Sequence, residues 1–193
     1  MRLPAEQRRR QLLDVARDVF ADRGFHATAM DDIAAVAGVT KPVLYQHFDN
    51  KRALFLELLD DVGAQLLAEL SVVTAPELNG RERVESGFKA YFRFVTSNPA
   101  AFRLLFGASV RNDPDFAQRA DAALENAALA ISTLIDLPVD EQHRLVLAHA
   151  IVGIAEATSR RSLASDNEAN TVAAEKLSGW LAELAWFGLR GVR

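Results

Sequence analysis

Residues 28–55 read TAMDDIAAVAGVTKPVLYQHFDNKRALF, and the punctuation of this stretch decides the fold. Thr28 followed by Asp31 is a helix-start signal, because an oxygen-bearing side chain satisfies an orphaned N–H and an acid suits the positive helix end. A short helix then carries Ile33, Ala34 and Ala37 and stops at Gly38, which takes left-handed backbone at little cost. Thr40 caps the next helix, about residues 41–47, where Pro42 is tolerated in the first turn. Asp49-Asn50 opens a long helix reaching about residue 70. Two short helices divided by Gly38-Val39-Thr40 form a helix-turn-helix pattern, whose second helix can lie in the major groove of DNA. A helical hairpin with no nucleic-acid role packs in the same way, so periodicity alone leaves both readings open.

Upstream, a helix begins at Pro4, buries Leu12, Ala16, Val19 and Phe20 on one face, and stops at Gly24. Ile33, Ala34, Ala37, Val39 and Leu44 are spaced to pack the two short helices on each other and on Leu13, Val19 and Phe20. Lys41, Val43, Gln46 and His47 are left outward. Tyr45 and Phe48 are expected to be partly buried, with the Tyr45 hydroxyl free to reach a phosphate. Downstream, Thr74, Pro76, Asn79 and Gly80 mark a joint over 71–80. Helices are expected near 81–97, 99–107 (Asn98 cap), 114–135 (Asp113 cap), 139–164 and 168–189. With no sustained alternation and no hairpin signal, the spacing predicts an all-α chain of about nine helices. It divides into a three-helix unit over 1–50 and a second helical domain over 51–193.

Composition removes whole classes of function. The 193 residues are half apolar and one quarter charged, and they include no cysteine, so disulfides, thiolate metal sites and cysteine nucleophiles are all excluded. His26, His47, His143 and His149 show no metal-ligand spacing. No cofactor signature is present. There is no Gly-x-Ser-x-Gly elbow, no phosphate-cradling glycine loop and no acid pair, so no enzyme is expected. No stretch approaches ~18 uninterrupted apolar residues, and Arg8-Arg9-Arg10 leads to Asp14 and Asp18, not to a signal-peptide core. A cytoplasmic protein with no membrane partner is expected. The net charge of −4 is uneven: residues 1–55 hold nine Arg or Lys against seven acids, and the remainder thirteen against nineteen. The amino-terminal part is therefore the one suited to phosphates. Arg2, Arg8, Arg9 and Arg10 suit either a minor-groove arm or a solvated face, and the solvated face is preferred for Arg10.

Residues 8–55 resemble the DNA-binding domain of the TetR family of bacterial transcriptional regulators. Ala16, Phe20, Gly24, Thr28, Ile33, Ala34, Ala37, Gly38, Val39, Leu44, Tyr45, Phe48, Lys51, Leu54 and Phe55 stand at the family's intervals. The resemblance implies phosphate contacts from Thr28, Thr40, Tyr45, His47 and Lys51, and base-edge contacts from Lys41, Val43 and Gln46. Pro42 stands in the same turn, and Lys41-Pro42 departs from the small residues more usual there. Thr28 and Thr40 also have a plain reading as helix caps. The segments RLPAEQRRRQLLDVARDVFADRGFHA and KPVLYQHF further look like the actinobacterial subgroup that regulates fatty-acid synthesis in response to long-chain acyl-CoA.

In the second half, Val84, Phe88, Tyr91, Phe92 and Val95 form one helical stripe, Phe102, Leu105 and Phe106 another, and Phe94 lies off the first. They face a thinner helix presenting Phe116, Ala120, Ala123, Leu124, Ala127, Ile131 and Leu134, which leaves room for a cavity. The candidate ligand-binding residues are Phe88, Tyr91, Phe92, Phe102, Leu105, Phe106, Leu124 and Ile131, and the effector is expected to be largely apolar. Arg93, Arg103, Arg111 and Arg119 are candidates for a charged head group, with solvated surface as their plainer reading. Leu145 to Ala155 is apolar nearly all round, and Ala173, Leu177, Trp180, Leu181 and Leu184 form a complementary stripe. His149, Gly153, Glu156, Ala157, Leu177, Trp180, Leu181 and Leu184 are therefore expected at a homodimer interface, with His149 and Glu156 as paired polar groups. The reading that follows is a dimeric, ligand-responsive regulator of a double-stranded DNA operator, expected to act as a repressor. The alternatives are regulation of an efflux or catabolic operon by an aromatic ligand, or a ligand-binding module without DNA function.

Overall fold

The computed structural model describes residues 4–73, 78–163 and 170–190. Among them all regular structure is helical: α1 (Ala5–Ala27), α2 (Met30–Val36), α3 (Lys41–Tyr45), α4 (Lys51–Val73), α5 (Gly80–Ser97), α6 (Pro99–Phe106), α7 (Ala108–Arg111), α8 (Pro114–Ser132), α9 (Glu141–Leu163) and α10 (Asn170–Arg190). The expectations for Arg2, Thr74, Pro76 and the side chain of Ala173 fall outside the described residues. The chain forms two compact units, Met1–Gly63 with Ala100–Ala120, and Ala64–Pro99 with Asp121–Arg193.

In the first unit α1 buries Leu12, Leu13, Ala16, Val19 and Phe20, and its regular course breaks at Gly24, whose φ of 80° no L side chain adopts readily. The start of α2 lies one residue later than Thr28 suggests. Ala29 is the cap residue, and its N–H donates to the Asp32 carboxylate (2.8 Å), while the Thr28 hydroxyl turns back to Gly24 O (2.8 Å). Gly38 closes α2 at φ 65° with a pair of bonds, Gly38 N–H to Ala35 O and Val39 N–H to Ala34 O, which consume carbonyls the helix end leaves orphaned. Ile33, Ala34, Ala37 and Leu44 are buried and Val39 half-buried. Regular helix in α3 ends at Tyr45, but His47 and Phe48 still donate to Leu44 O, so the turn extends as far as expected.

The unit's aromatic core is Phe20, Phe25, Phe55 and Phe116, with centroids 5.1 Å apart for Phe20–Phe55, 4.8 Å for Phe25–Phe116 and 4.6 Å for Phe55–Phe116. Arg52 covers the Phe116 ring at 4.6 Å and binds Asp113 through two N–H groups at 2.7 and 2.8 Å. That pairing holds the Asp113 carboxyl below the usual carboxylate range, while its Oδ1 caps α8 through the N–H groups of Asp115 and Phe116. The one-turn α7 has no counterpart in the sequence reading. Its Ser109 hydroxyl accepts from Phe25 N–H (3.2 Å), beyond the break at Gly24.

In the second unit Asn79 and Glu82 cap α5 reciprocally, at 3.0 and 2.9 Å. α5 packs on α10 and α9, and α9 packs on α10. Phe88, Tyr91, Phe92 and Val95 are buried as the stripe requires, but so are Ala90 and Phe94. The expected off-stripe position of Phe94 is thus not a solvent position, because α5 is enclosed over more of its circumference than one stripe.

Candidate DNA interface and effector cavity

The outward side of the helix-turn-helix is concave, bounded by His26, Thr28, Asp31, Lys41, Tyr45 and Lys51. Lys41, Pro42, Tyr45 and Gln46 are exposed, Val43 and His47 half-buried. Tyr45 is 42% exposed and the Lys41 ammonium stands 5.9 Å from its ring. Thr40 is exposed at the head of α3 and makes no side-chain cap bond, so its hydroxyl retains a donor for an incoming acceptor.

Three candidates sit differently from a plain DNA-contact list. The Thr28 side chain is buried and its hydroxyl proton is spent on Gly24 O, so it has no donor for a phosphate oxygen. Lys51 places its ammonium on Phe25 O and Thr28 O, both at 2.8 Å, and 4.5 Å from the Phe25 ring, closing the carboxyl end of α1 with one N–H left over. Lys41 pairs with Asp31 at 2.9 Å, which raises its pKa chiefly through the hydrogen bond. The basic run is structural as well. Arg9 chelates Glu57, donates to His47 O and covers the Phe48 ring at 4.4 Å. Arg10 bridges Asp14 and Asp61, and Arg8 donates to Gln11. Arg9 therefore braces the turn after α3 from below, a role that the sequence run Arg8-Arg9-Arg10 does not announce.

The second unit encloses a cavity of about 590 Å³. Phe88, Tyr91, Leu124 and Ile131 line it, together with Leu66, Leu67 and Leu70 of α4, Val84 and Gly87 of α5, Ala155 of α9 and Trp186 of α10. Phe92 is buried away from this wall, and Phe102, Leu105 and Phe106 belong to the core of the first unit. The sequence stripes correctly mark them as inward but cannot say which of two cores they enter. None of the arginines considered as head-group partners lines the cavity. Arg93 meets Glu69, Arg111 donates to Phe106 O, Arg119 meets Asp60, and Arg103 is exposed. Arg83 does line it, one residue before the stripe that begins at Val84. Tyr91 presents its ring to the cavity while its hydroxyl is buried with no partner in hydrogen-bond geometry. Burial pushes its pKa up to about 12, against a smaller lowering by neighbouring Ser159.

On α9 and α10 of this unit, Val146, Trp180, Leu184 and Phe187 are each about 60% exposed. Gly153 and Ala157 are exposed, with nothing within 4 Å of a Cβ built on Gly153, and Leu177 and Leu181 are half-buried. The expected His149–Glu156 pair does not form: His149 meets Glu125 of α8 at 2.7 Å, and Glu156 meets Arg160 one turn along its own helix. Among the described residues no cluster of three metal-ligating side chains occurs, and no helix is long and apolar enough to cross a membrane.

Three amino-terminal helices, with the second short one exposing its polar side beyond a Schellman turn, define a helix-turn-helix DNA-binding protein. Residues 12–58 match the family of bacterial regulatory proteins of the tetR type, and residues 80–188 match the tetracyclin repressor-like carboxy-terminal domain. The chain is 33% identical to the HTH-type transcriptional activator FasR of Mycolicibacterium smegmatis over 99% of its own length and 87% of that protein. A TetR-like transcriptional regulator from a Rhodococcus species superposes with a TM-score of 0.78 at 30% identity, covering 99% of this chain and 100% of that one. The fatty acid degradation regulator FadR of Bacillus halodurans shares the fold, with a TM-score of 0.78 at 16% identity over 95% and 99% of the two chains. The chain belongs to the TetR family, and is a ligand-responsive, DNA-binding transcriptional regulator.

Proposed function

We propose that two copies of this chain read a near-palindromic operator, each placing α3 in a major groove, and that an apolar small molecule of the fatty-acyl kind, held in the second unit, sets the affinity for DNA. The single observation that carries this reading is the course of α4. The same helix starts at Lys51 beside the DNA-facing surface and supplies Leu66, Leu67 and Leu70 to the cavity wall. A ligand that binds one setting of α4 better than another shifts the population of the DNA-competent form, and one that binds both equally does nothing. Thr40, Tyr45, His47 and the remaining N–H of Lys51 face the phosphates in this account. Lys41, Val43 and Gln46 face base edges, with Pro42 setting the first turn. The division into 1–50 for DNA binding and 51–193 for ligand binding and dimerisation is a division of labour, since the compact units interleave along the chain.

The dimer reading rests on the exposed apolar face of α9 and α10, where Trp180, Leu184 and their neighbours have no cover within one chain. His149, Glu156, Leu177 and Leu181 border that face in this account. Cytoplasmic location and absence of catalysis are part of the same proposal, supported by the family's character as regulators.

The testing experiment pairs Thr40→Ala/Tyr45→Ala with Gly153→Leu. The first variant is expected to lose operator binding while still taking up ligand, which a carrier without DNA function would not do. Gly153 has open space around it, so leucine there leaves the chain folded but obstructs a partner helix, and monomers are expected on sedimentation. An unchanged dimer would place the interface elsewhere.

A further inference from the structure

Arg83 is a cation set in the wall of an otherwise largely apolar cavity, and among the described residues no carboxylate forms an ion pair with it. Arg81, Arg93 and Arg160 of the same unit pair with Glu85, Glu69 and Glu156, and Arg144, which like Arg83 donates to a backbone carbonyl, lies outside the cavity wall. The acids nearest Arg83 in sequence are otherwise engaged, Glu82 on the N–H of Asn79 and Glu85 on Arg81. Asp136 also contributes to the wall and forms no ion pair among the described residues.

The guanidinium is nevertheless held in place. Its Nε donates to Leu78 O (2.9 Å) and its Nη1 to Leu134 O (3.3 Å), so two backbone carbonyls fix its plane between the start of α5 and the end of α8. Of the five N–H groups an arginine carries, those on Nη2 and the second on Nη1 have no partner among the described residues. A half-buried guanidinium with part of its donor set unused is costly against an apolar wall, and an anion relieves that cost through charge-assisted bonds. The amino-terminal end of α5, at Gly80, lines the same region and favours negative charge.

We infer that Arg83 holds the carboxylate of a ligand whose hydrocarbon body fills the cavity, so that the effector is a long-chain monocarboxylate. This rests on the effector reading above. Arg83 is the one cation in the described wall and Asp136 repels further negative charge, so the site suits one carboxylate and not a polyanionic carrier group. The volume of about 590 Å³ falls within the range of roughly 300–1,000 Å³ usual for small-molecule sites.

The test is a titration of the full-length protein with laurate, dodecanol and lauroyl-CoA, read by displacement of an apolar fluorophore and by Trp186 emission in a Trp180→Phe background. The wild type is expected to prefer laurate over dodecanol by about 10- to 100-fold, the worth of a charge-assisted bond. Arg83→Gln is expected to lose that preference and still bind dodecanol, which also shows the cavity intact. Arg83→Lys should retain most of it. Equal wild-type affinity for acid and alcohol, an undiminished preference in Arg83→Gln, or lauroyl-CoA binding more tightly than laurate would overturn the inference while leaving the effector reading standing. Binding of none of the three would overturn both.

Discussion

Replacing Phe116 by alanine should disable DNA binding from a position far along the chain from α3, which ends at Tyr45. Phe116 lies on α8, yet its side chain is fully buried among the aromatic residues of the first unit, 4.8 Å from Phe25 and 4.6 Å from Phe55 by ring centroid, beneath the Arg52 guanidinium. Phe→Ala in a core costs about 3–5 kcal/mol in lost transfer energy and residual cavity. Two ring contacts, each worth roughly 0.5–1.5 kcal/mol beyond burial, place this site in the upper half of that range. Against a total stability on the order of 5–15 kcal/mol, the folded population of the unit falls sharply. Urea denaturation followed by circular dichroism, together with operator binding at each denaturant concentration, should show the two midpoints falling together in Phe116→Ala. Phe116→Leu, which leaves a smaller void, should fall by about 1–2 kcal/mol. A Phe116→Ala protein within about 1 kcal/mol of wild type would refute the reasoning. It would mean that residues 1–63 carry a self-sufficient core and that the unit's second segment is dispensable.

Two further outcomes follow from the geometry. With the Tyr91 phenol pushed from 10.0 to about 12, the folded state holds its proton where the unfolded state has lost it. Stability should therefore fall by ~2–3 kcal/mol as pH rises from about 10 to 12, and Tyr91→Phe should remove that portion of the alkaline loss in denaturation curves recorded across the range. At Gly38 the backbone is left-handed and nothing lies within 4 Å of an added Cβ, so any cost of substitution there is conformational. Gly38→Asn should cost less than Gly38→Val, with the valine variant down by about 1–2 kcal/mol in thermal or urea melts, and equal costs for the two would contradict this account of the turn.

The fold was legible because its punctuation is local. Gly24, Gly38, Asn79 with Glu82, and Asp113 mark helix ends through bonds made within a few residues, and the stripes around Leu12, Phe88 and Phe102 follow helical spacing. The four-residue α7 escaped because one turn is too short to show a period. Periodicity gives direction but not destination: Phe88 and Phe102 both point inward, yet one lines the cavity and the other enters the core of the first unit. Arg83 was missed for the same reason. It borders a stripe, and only the placement of Leu78 O and Leu134 O turns its guanidinium into a cavity wall. The commitment of Lys51 to the end of α1 likewise depends on contacts over distances that local pattern cannot report, whereas the Thr28 bond to Gly24 O is local and competes with the capping role its sequence position suggests.

The central claim, that paired copies of α3 read DNA sequence, is tested most directly by selecting bound duplexes from a random DNA pool with the full-length protein at a fixed, moderate salt concentration. The account predicts enrichment of a palindrome whose half-sites lie ~34–36 Å apart, or a multiple of that, on one face of the duplex. A folded protein that enriches no sequence, with and without laurate present, would contradict it.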